Sequence, residues 1–181
     1  MVHRIVLTGA PGSGKTEFLD SLRNDPRLAA FSFLDELARQ LLIDTPDFRN
    51  HWSEFHREIY RQQVAREEAL GGKPFVTDRG TVDAFAFHPE TLHEVGTTLE
   101  KEYLRYTAVF HLQTSAALGE QYYSRDEVRN ESLSDALAIE TAVRGAWEHH
   151  PGYRFLKATE DADQKYQNLL NFMLDMTVAN K

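Results

Sequence analysis

A chain of 181 residues, 41% hydrophobic and 27% charged, has the make-up of a globular enzyme with one substantial core. A net charge of −8 without any basic block excludes general nucleic-acid binding by charge and leaves room only for a local cationic pocket. There is no cysteine for disulfides or thiolate metal sites, no run approaching a membrane span, and no signal-peptide pattern at the N-terminus, so a cytoplasmic protein with no membrane association is expected.

The first apolar run, residues 4–8, is β-branched and predicts a strand. It leads directly into Gly9-Ala10-Pro11-Gly12-Ser13-Gly14-Lys15-Thr16, a complete G-x-x-x-x-G-K-[ST] phosphate-binding loop. Phe18, Leu19 and Leu22 then recur with helical spacing. Strand, glycine-rich turn and helix are the context this loop needs: glycines let the backbone approach phosphate, and successive N–H groups with the helix N-terminus surround an anion. Lys15 is expected to reach the β- and γ-phosphates, and the Thr16 hydroxyl to hold Mg²⁺. A dinucleotide fingerprint is excluded, because Glu17 stands where that pattern needs Gly or Ala.

A second strand is predicted over residues 30–34, ending in Asp35-Glu36, with a helix over 36–43. Glu36 and Arg39, three apart, share a helical face. In a phosphotransferase Glu36 would accept the proton of a substrate hydroxyl; otherwise the two form a surface ion pair, and Asp35 is a helix cap. A long charged helix over 52–70 stops at Gly71-Gly72. On it, Gln62 and Gln63 could present an amide to a ring and Trp52, Phe55 and Tyr60 could stack on one, although exposed glutamines and core aromatics are the commoner outcome. His51 and His56 do not align on one face, which argues against a zinc site.

The third strand, 74–77, ends in Asp78-Arg79-Gly80. An acid at the C-terminal end of a strand lies at the ligand crevice of an open α/β sheet, where Asp78 would join Thr16 at Mg²⁺ and Arg79 would meet a phosphate or substrate anion. Asp83, one turn on, either orients Arg79 or acts as an N-terminal helix acid. Further along come a helix within 89–106, a strand at 108–112, a polar segment with Arg125 and Arg129, a helix over 132–148 whose end carries His149-His150, a strand at 153–157 and a helix over 163–178. Arg125 and Arg129 would stabilise charge on a transferred phosphoryl group; the alternative is a solvated turn. Strand–helix alternation predicts a five-stranded parallel sheet covered on both faces, without fixing the strand order.

In these motifs the chain resembles the P-loop ATPase/kinase-like family catalogued as an AAA-type domain, which includes nicotinamide-riboside kinase domains of bacterial NAD regulators and nucleotide-binding proteins of the TRP-channel translocation-defect type. Matching in order are the loop Gly9–Thr16, Glu36-x-x-Arg39, Asp78-Arg79-Gly80 with Asp83, and Arg125–Arg129. A looser similarity extends to deoxyribonucleoside and thymidylate kinases. The resemblance implies a three-layer α/β P-loop NTPase fold, one nucleoside/nucleotide-kinase-like domain over residues 1–181 with a lid at about 119–133. It also implies Lys15, Glu36, Asp78, Arg79, Arg125 and Arg129 as the working residues. The cofactors expected are Mg²⁺ and ATP, with GTP as the alternative. The partners expected are the nucleotide and a small-molecule acceptor, with a homodimer left open. Three functions follow: a nucleoside-like kinase, an ATPase or GTPase, or a nucleotide-binding regulatory module.

Overall fold

The computed structural model describes residues 2–123 and 131–178. Strands β1 (Arg4–Thr8), β2 (Ser32–Leu34), β3 (Phe75–Asp78), β4 (Ala108–Leu112) and β5 (Tyr153–Leu156) form one sheet in the order β2-β3-β1-β4-β5. Every neighbouring pair is parallel. Parallel strands need crossovers, and helices supply them. In chain order these are α1 (Lys15–Arg23), α2 (Leu37–Asp44), α3 (Trp52–Ala69), α4 (Thr81–Phe87), α5 (Thr91–Glu94), α6 (Leu99–Tyr103) and α7 (Leu133–Trp147), and a further helix, α8 (Ala162–Val178), follows the last strand.

The period-2 geometry of β1 and β4 divides the apolar residues between two cores. Ile5 and Leu7 of β1, with Ala108, Phe110 and Leu112 of β4, pack against Phe18, Leu19 and Leu22 of α1 and Leu169, Leu170 and Met173 of α8. Val6 and Val109 pack on the opposite face with Val82 and Phe85 of α4 and Val143 and Trp147 of α7. Burial on both faces is why these strands are mostly apolar, and their fully buried polar residues, Thr8 and His111, meet the buried acids Asp83 and Glu140. The result is the expected three-layer α/β architecture.

Some local expectations change. β2 begins at Ser32, because a 3₁₀ turn over Pro26–Leu28 ends with Phe31 N donating to Leu28 O at 2.9 Å. The segment 89–106 holds two short helices rather than one: Gly96, at φ 71°, breaks the path, and the Thr98 side chain caps α6. Helix α3 does stop before Gly71, and both Gly71 and Gly72 have positive φ. Of the expected lid, residues 124–130 with Arg125 and Arg129 lie outside the described residues. Among the described residues, no helix is long and apolar enough to cross a membrane.

The register positions the site. Leu7 pairs with Asp78 and Thr8 with His111, so β1 and β3 end side by side and the loop after β1 emerges beside Asp78.

Candidate nucleotide and acceptor site

The loop after β1 needs its glycines. Gly9 has φ 138°, and a Cβ there would sit 2.2 Å from the Leu112 carbonyl oxygen. Gly14 adopts φ 88° as the N-cap, turning the chain so that Lys15 opens α1. Lys15 is buried and folds across its own loop: Nζ donates to Gly9 O at 2.9 Å, Ala10 O at 3.2 Å and Ser13 Oγ at 3.0 Å. Burial lowers the Lys15 pKa, Arg79 acts in the same direction, and Asp78, Glu36 and Asp83 oppose them.

Beside the loop lies a cluster of opposite charges. Thr16 Oγ1 donates to Asp78 Oδ2 at 3.3 Å, while Asp78 Oδ1 is buried with no hydrogen-bond partner. Burial pushes the Asp78 carboxyl up to about 6, with Lys15 pulling the other way. Arg79 bridges two acids, donating from Nε to Glu36 Oε1 at 2.8 Å and from NH1 to Asp83 Oδ1 at 3.0 Å. Its guanidinium also lies 5.0 Å from the Phe87 ring centre. Burial works against the Arg79 charge, but Glu36, Asp83 and Asp78 outweigh it and raise its pKa. At Glu36 burial raises the carboxyl, and Arg79 and Lys15 outweigh that and hold it low. Asp83 accepts from Thr8 Oγ1 (2.6 Å), Gly80 N (2.9 Å) and Trp147 Nε1 (3.1 Å) besides Arg79. It therefore fills both roles offered by the sequence, orienting Arg79 and closing the first turn of α4.

A cleft of about 710 Å³ runs from Gly12–Thr16 past Glu36, Asp78, Arg79 and Asp83 to the facing surfaces of α2 and α3. That volume lies within the range of small-molecule sites. Trp52, Phe55, His56, Gln63 and Phe87 line its far end. Trp52 remains 48% exposed there, whereas Phe55 is buried.

Lys15, Thr16, Glu36, Asp78 and Arg79 thus come together. The expected Glu36–Arg39 pair does not form. Glu36 is the N-cap of α2 at ψ 132°, so its side chain is outside the helical face that carries exposed Arg39, and it takes Arg79 instead. Asp35 does not cap α2; its carboxylate pairs with Arg23. Tyr60 bonds Glu102 at 2.9 Å instead of lining the cleft. Gln62 bonds Glu58 at 2.8 Å, whereas Gln63 is buried and lines the cleft.

Other residues behind the loop escape a motif search. Glu140 Oε2 accepts from Ala10 N at 3.3 Å and Thr114 N at 3.4 Å, and its Oε1 lies 2.9 Å from His111 Nε2. Lys165 Nζ donates to Ser13 O at 2.9 Å and Gln113 O at 2.8 Å, tying α8 to the loop. Burial lowers Lys165 to about 8. A signal for both was present. Glu140 falls on the buried stripe Ala136, Val143, Trp147 of α7, and Lys165 on the stripe Leu169, Met173 of α8. A charge on an apolar stripe needs a buried partner.

Strand order and glycine loop together define a P-loop NTPase fold. The chain belongs to the AAA domain family, whose family model matches residues 4–165. Two solved structures similar to it are those of deoxyadenosine kinase from M. mycoides. The one with bound dATP has a TM-score of 0.64 at 11% identity, covering 94% of this chain and 98% of that chain. The one with the products dCMP and a flexible dCDP has a TM-score of 0.59, also at 11% identity with coverage of 94% and 98%. The likeness is one of fold. No curated protein matches by sequence.

Proposed function

We propose that this protein is a Mg²⁺-dependent kinase that transfers the γ-phosphate of ATP to a hydroxyl of a nucleoside-like acceptor. The observation that carries this reading is Glu36. It is a carboxylate held ionised by Arg79, lining the same cleft as Lys15, Thr16 and Asp78 and as the aromatic residues Trp52, Phe55 and Phe87. The acceptor hydroxyl gives its proton to Glu36 as its oxygen bonds to the γ-phosphorus and the β–γ bridging bond breaks, leaving ADP. A loose transition state asks more for position than for a strong base, so a Glu36 carboxyl held low is adequate. Lys15 would swing from its own loop carbonyls to the β- and γ-phosphates, which offer it stronger charge-assisted bonds.

The unpartnered, buried Asp78 Oδ1 beside the Thr16 hydroxyl fits a hard divalent cation. Thr16 and Asp78 would hold Mg²⁺, which neutralises phosphate charge when bound. Arg125 and Arg129 are proposed to close over the nucleotide, as the lid of one domain spanning residues 1–181. The likeness to a deoxyadenosine kinase agrees with a nucleoside-like acceptor. The decisive experiment is a screen of nucleosides and other hydroxyl compounds with Mg·ATP, following ADP release and phosphorylated product. Acceptor-dependent release with stoichiometric product is expected. Release that is the same without any acceptor would overturn the kinase reading in favour of a hydrolase, and GTP in place of ATP tests the nucleotide.

A further inference from the structure

The far end of the cleft carries two polar side chains whose hydrogen-bonding sense is set from behind. Gln63 is 4% exposed. Its Nε2 donates to Glu67 Oε1 at 2.8 Å and to Thr77 Oγ1 at 2.9 Å. Neither bond can be reversed by flipping the amide. Glu67 is ion-paired with Arg105 at 2.7 Å and accepts from the Tyr106 hydroxyl at 2.7 Å; a carboxylate has no proton to give. Thr77 commits its own hydroxyl proton to Arg79 O at 2.8 Å. Both amide protons are used inward. Oε1 has no protein partner among the described residues and is not sealed in the core, so it is the amide atom left to the cleft.

About two turns earlier on the same helix, His56 lines the same cleft and is 2% exposed. Its Nδ1 lies 2.9 Å from Trp52 O. A carbonyl can only accept, so Nδ1 carries the proton and Nε2 is a lone pair. Burial lowers the His56 pKa, the Trp52 carbonyl works against it and His88 adds to it, so the net shift favours the neutral ring. Nε2 likewise has no protein partner among the described residues.

We infer that two acceptors at this end of the cleft, Gln63 Oε1 and His56 Nε2, form a wall that selects a nucleoside whose base carries an exocyclic amino group over its keto counterpart. The inference rests on the nucleoside-like acceptor proposed above. An amino group as in cytosine or adenine donates to this wall, whereas a keto oxygen at the same place opposes a lone pair. Glu67 is the positioning residue, because it dictates which atom of Gln63 faces outward. Sites built on one hydrogen-bonding sense reject the mismatched group more strongly than apolar pockets reject a change of size.

The test uses the full chain with two matched pairs, cytidine against uridine and adenosine against inosine, in ribo and 2′-deoxy forms. Binding is read from Trp52 fluorescence without ATP, and turnover from phosphorylated product. An amino-over-keto preference of at least about tenfold is expected in both pairs. Gln63→Leu should bring that ratio to within about threefold. Glu67→Gln, which lets the partner amide donate and Gln63 turn over, should lower it too, with circular dichroism confirming that each variant is folded. A wild-type ratio near one, a keto preference, no binding of any of the four, or an unchanged ratio in folded Gln63→Leu would overturn the inference. Amino-selective binding without phosphorylated product would sustain it and sink the kinase reading. Unselective phosphorylation of all four would do the reverse.

Discussion

The two ends of the cleft are built differently. At the phosphate end nearly every polar side chain is engaged: Lys15 makes three bonds within its loop, Asp83 accepts from Thr8, Gly80, Trp147 and Arg79, and Arg79 spans two carboxylates. These groups sit near the C-terminal ends of β1 and β3, two adjacent interior strands held by the sheet register. The far end is a wall of rings on α3 and α4 with half-exposed Trp52 at its mouth, and its polar atoms keep free valences. On the proposed reading the first region carries the phosphate chemistry and the second the choice of acceptor, and the two share few side-chain bonds.

Removing Asp83 should do most damage, because it strands three buried donors and leaves Arg79 paired only with Glu36. Asp83→Ala is expected to cost about 3–5 kcal/mol of stability, read from urea unfolding. A loss under about 1 kcal/mol would show that the phosphate end is not so tightly determined.

Next comes Glu36→Gln, which keeps the shape and removes the proton acceptor. Acceptor-dependent phosphorylation should fall about 10²-fold or more, with slow acceptor-free hydrolysis changing much less. Lys15→Ala should lower both activities at least about tenfold, since the contact proposed for Lys15 is to the nucleotide they share. Equal losses in both assays for Glu36→Gln would erase the division between the two ends.

The Asp78 carboxyl gives a pH dependence with a definite sign. Its pKa rises from 3.8 to about 6, so between these values the folded protein holds a proton that the unfolded chain has released. Ionising Asp78 thus costs stability as pH climbs through that window, whereas cation binding needs the ionised form. Mg·nucleotide affinity should therefore weaken below about pH 6, approaching tenfold per unit, and Asp78→Asn should flatten the profile. Calorimetric titration from pH 5 to 8 measures it.

The smallest effect should come from Arg39→Ala. This side chain is exposed and has no ion pair to Glu36, so thermal unfolding should shift by no more than the equivalent of about 0.5 kcal/mol.

The phosphate end was legible in the sequence because its information is local. One octapeptide after one strand carries both the backbone path and the side chains, and Asp78 follows from the rule that strand C-termini face the crevice. The Glu36–Arg79 pair was not legible, since it joins the ends of β2 and β3 across 43 positions and a nearer arginine competes for the same assignment. The far end was read least well. Gln63 takes its meaning from Glu67, Thr77, Tyr106 and Arg105, which come from three separate parts of the chain. Helix periodicity marks such a residue as inward-facing, but only the packed neighbours tell core from site. The break at Gly96 was missed for a simpler reason: an apolar pattern continues across it.

Arg79 has a consequence of its own. Its backbone sits at φ 68°, the only non-glycine residue with positive φ among those described. An L-residue pays roughly 1–2 kcal/mol for that conformation, and asparagine or glycine would occupy it more readily. Those residues carry no fork to span Glu36 and Asp83. Backbone comfort and side-chain reach therefore pull the choice of amino acid in opposite directions at this position, and reach prevails. The corner between strand and helix is thus settled by what its side chain must span rather than by what its backbone prefers.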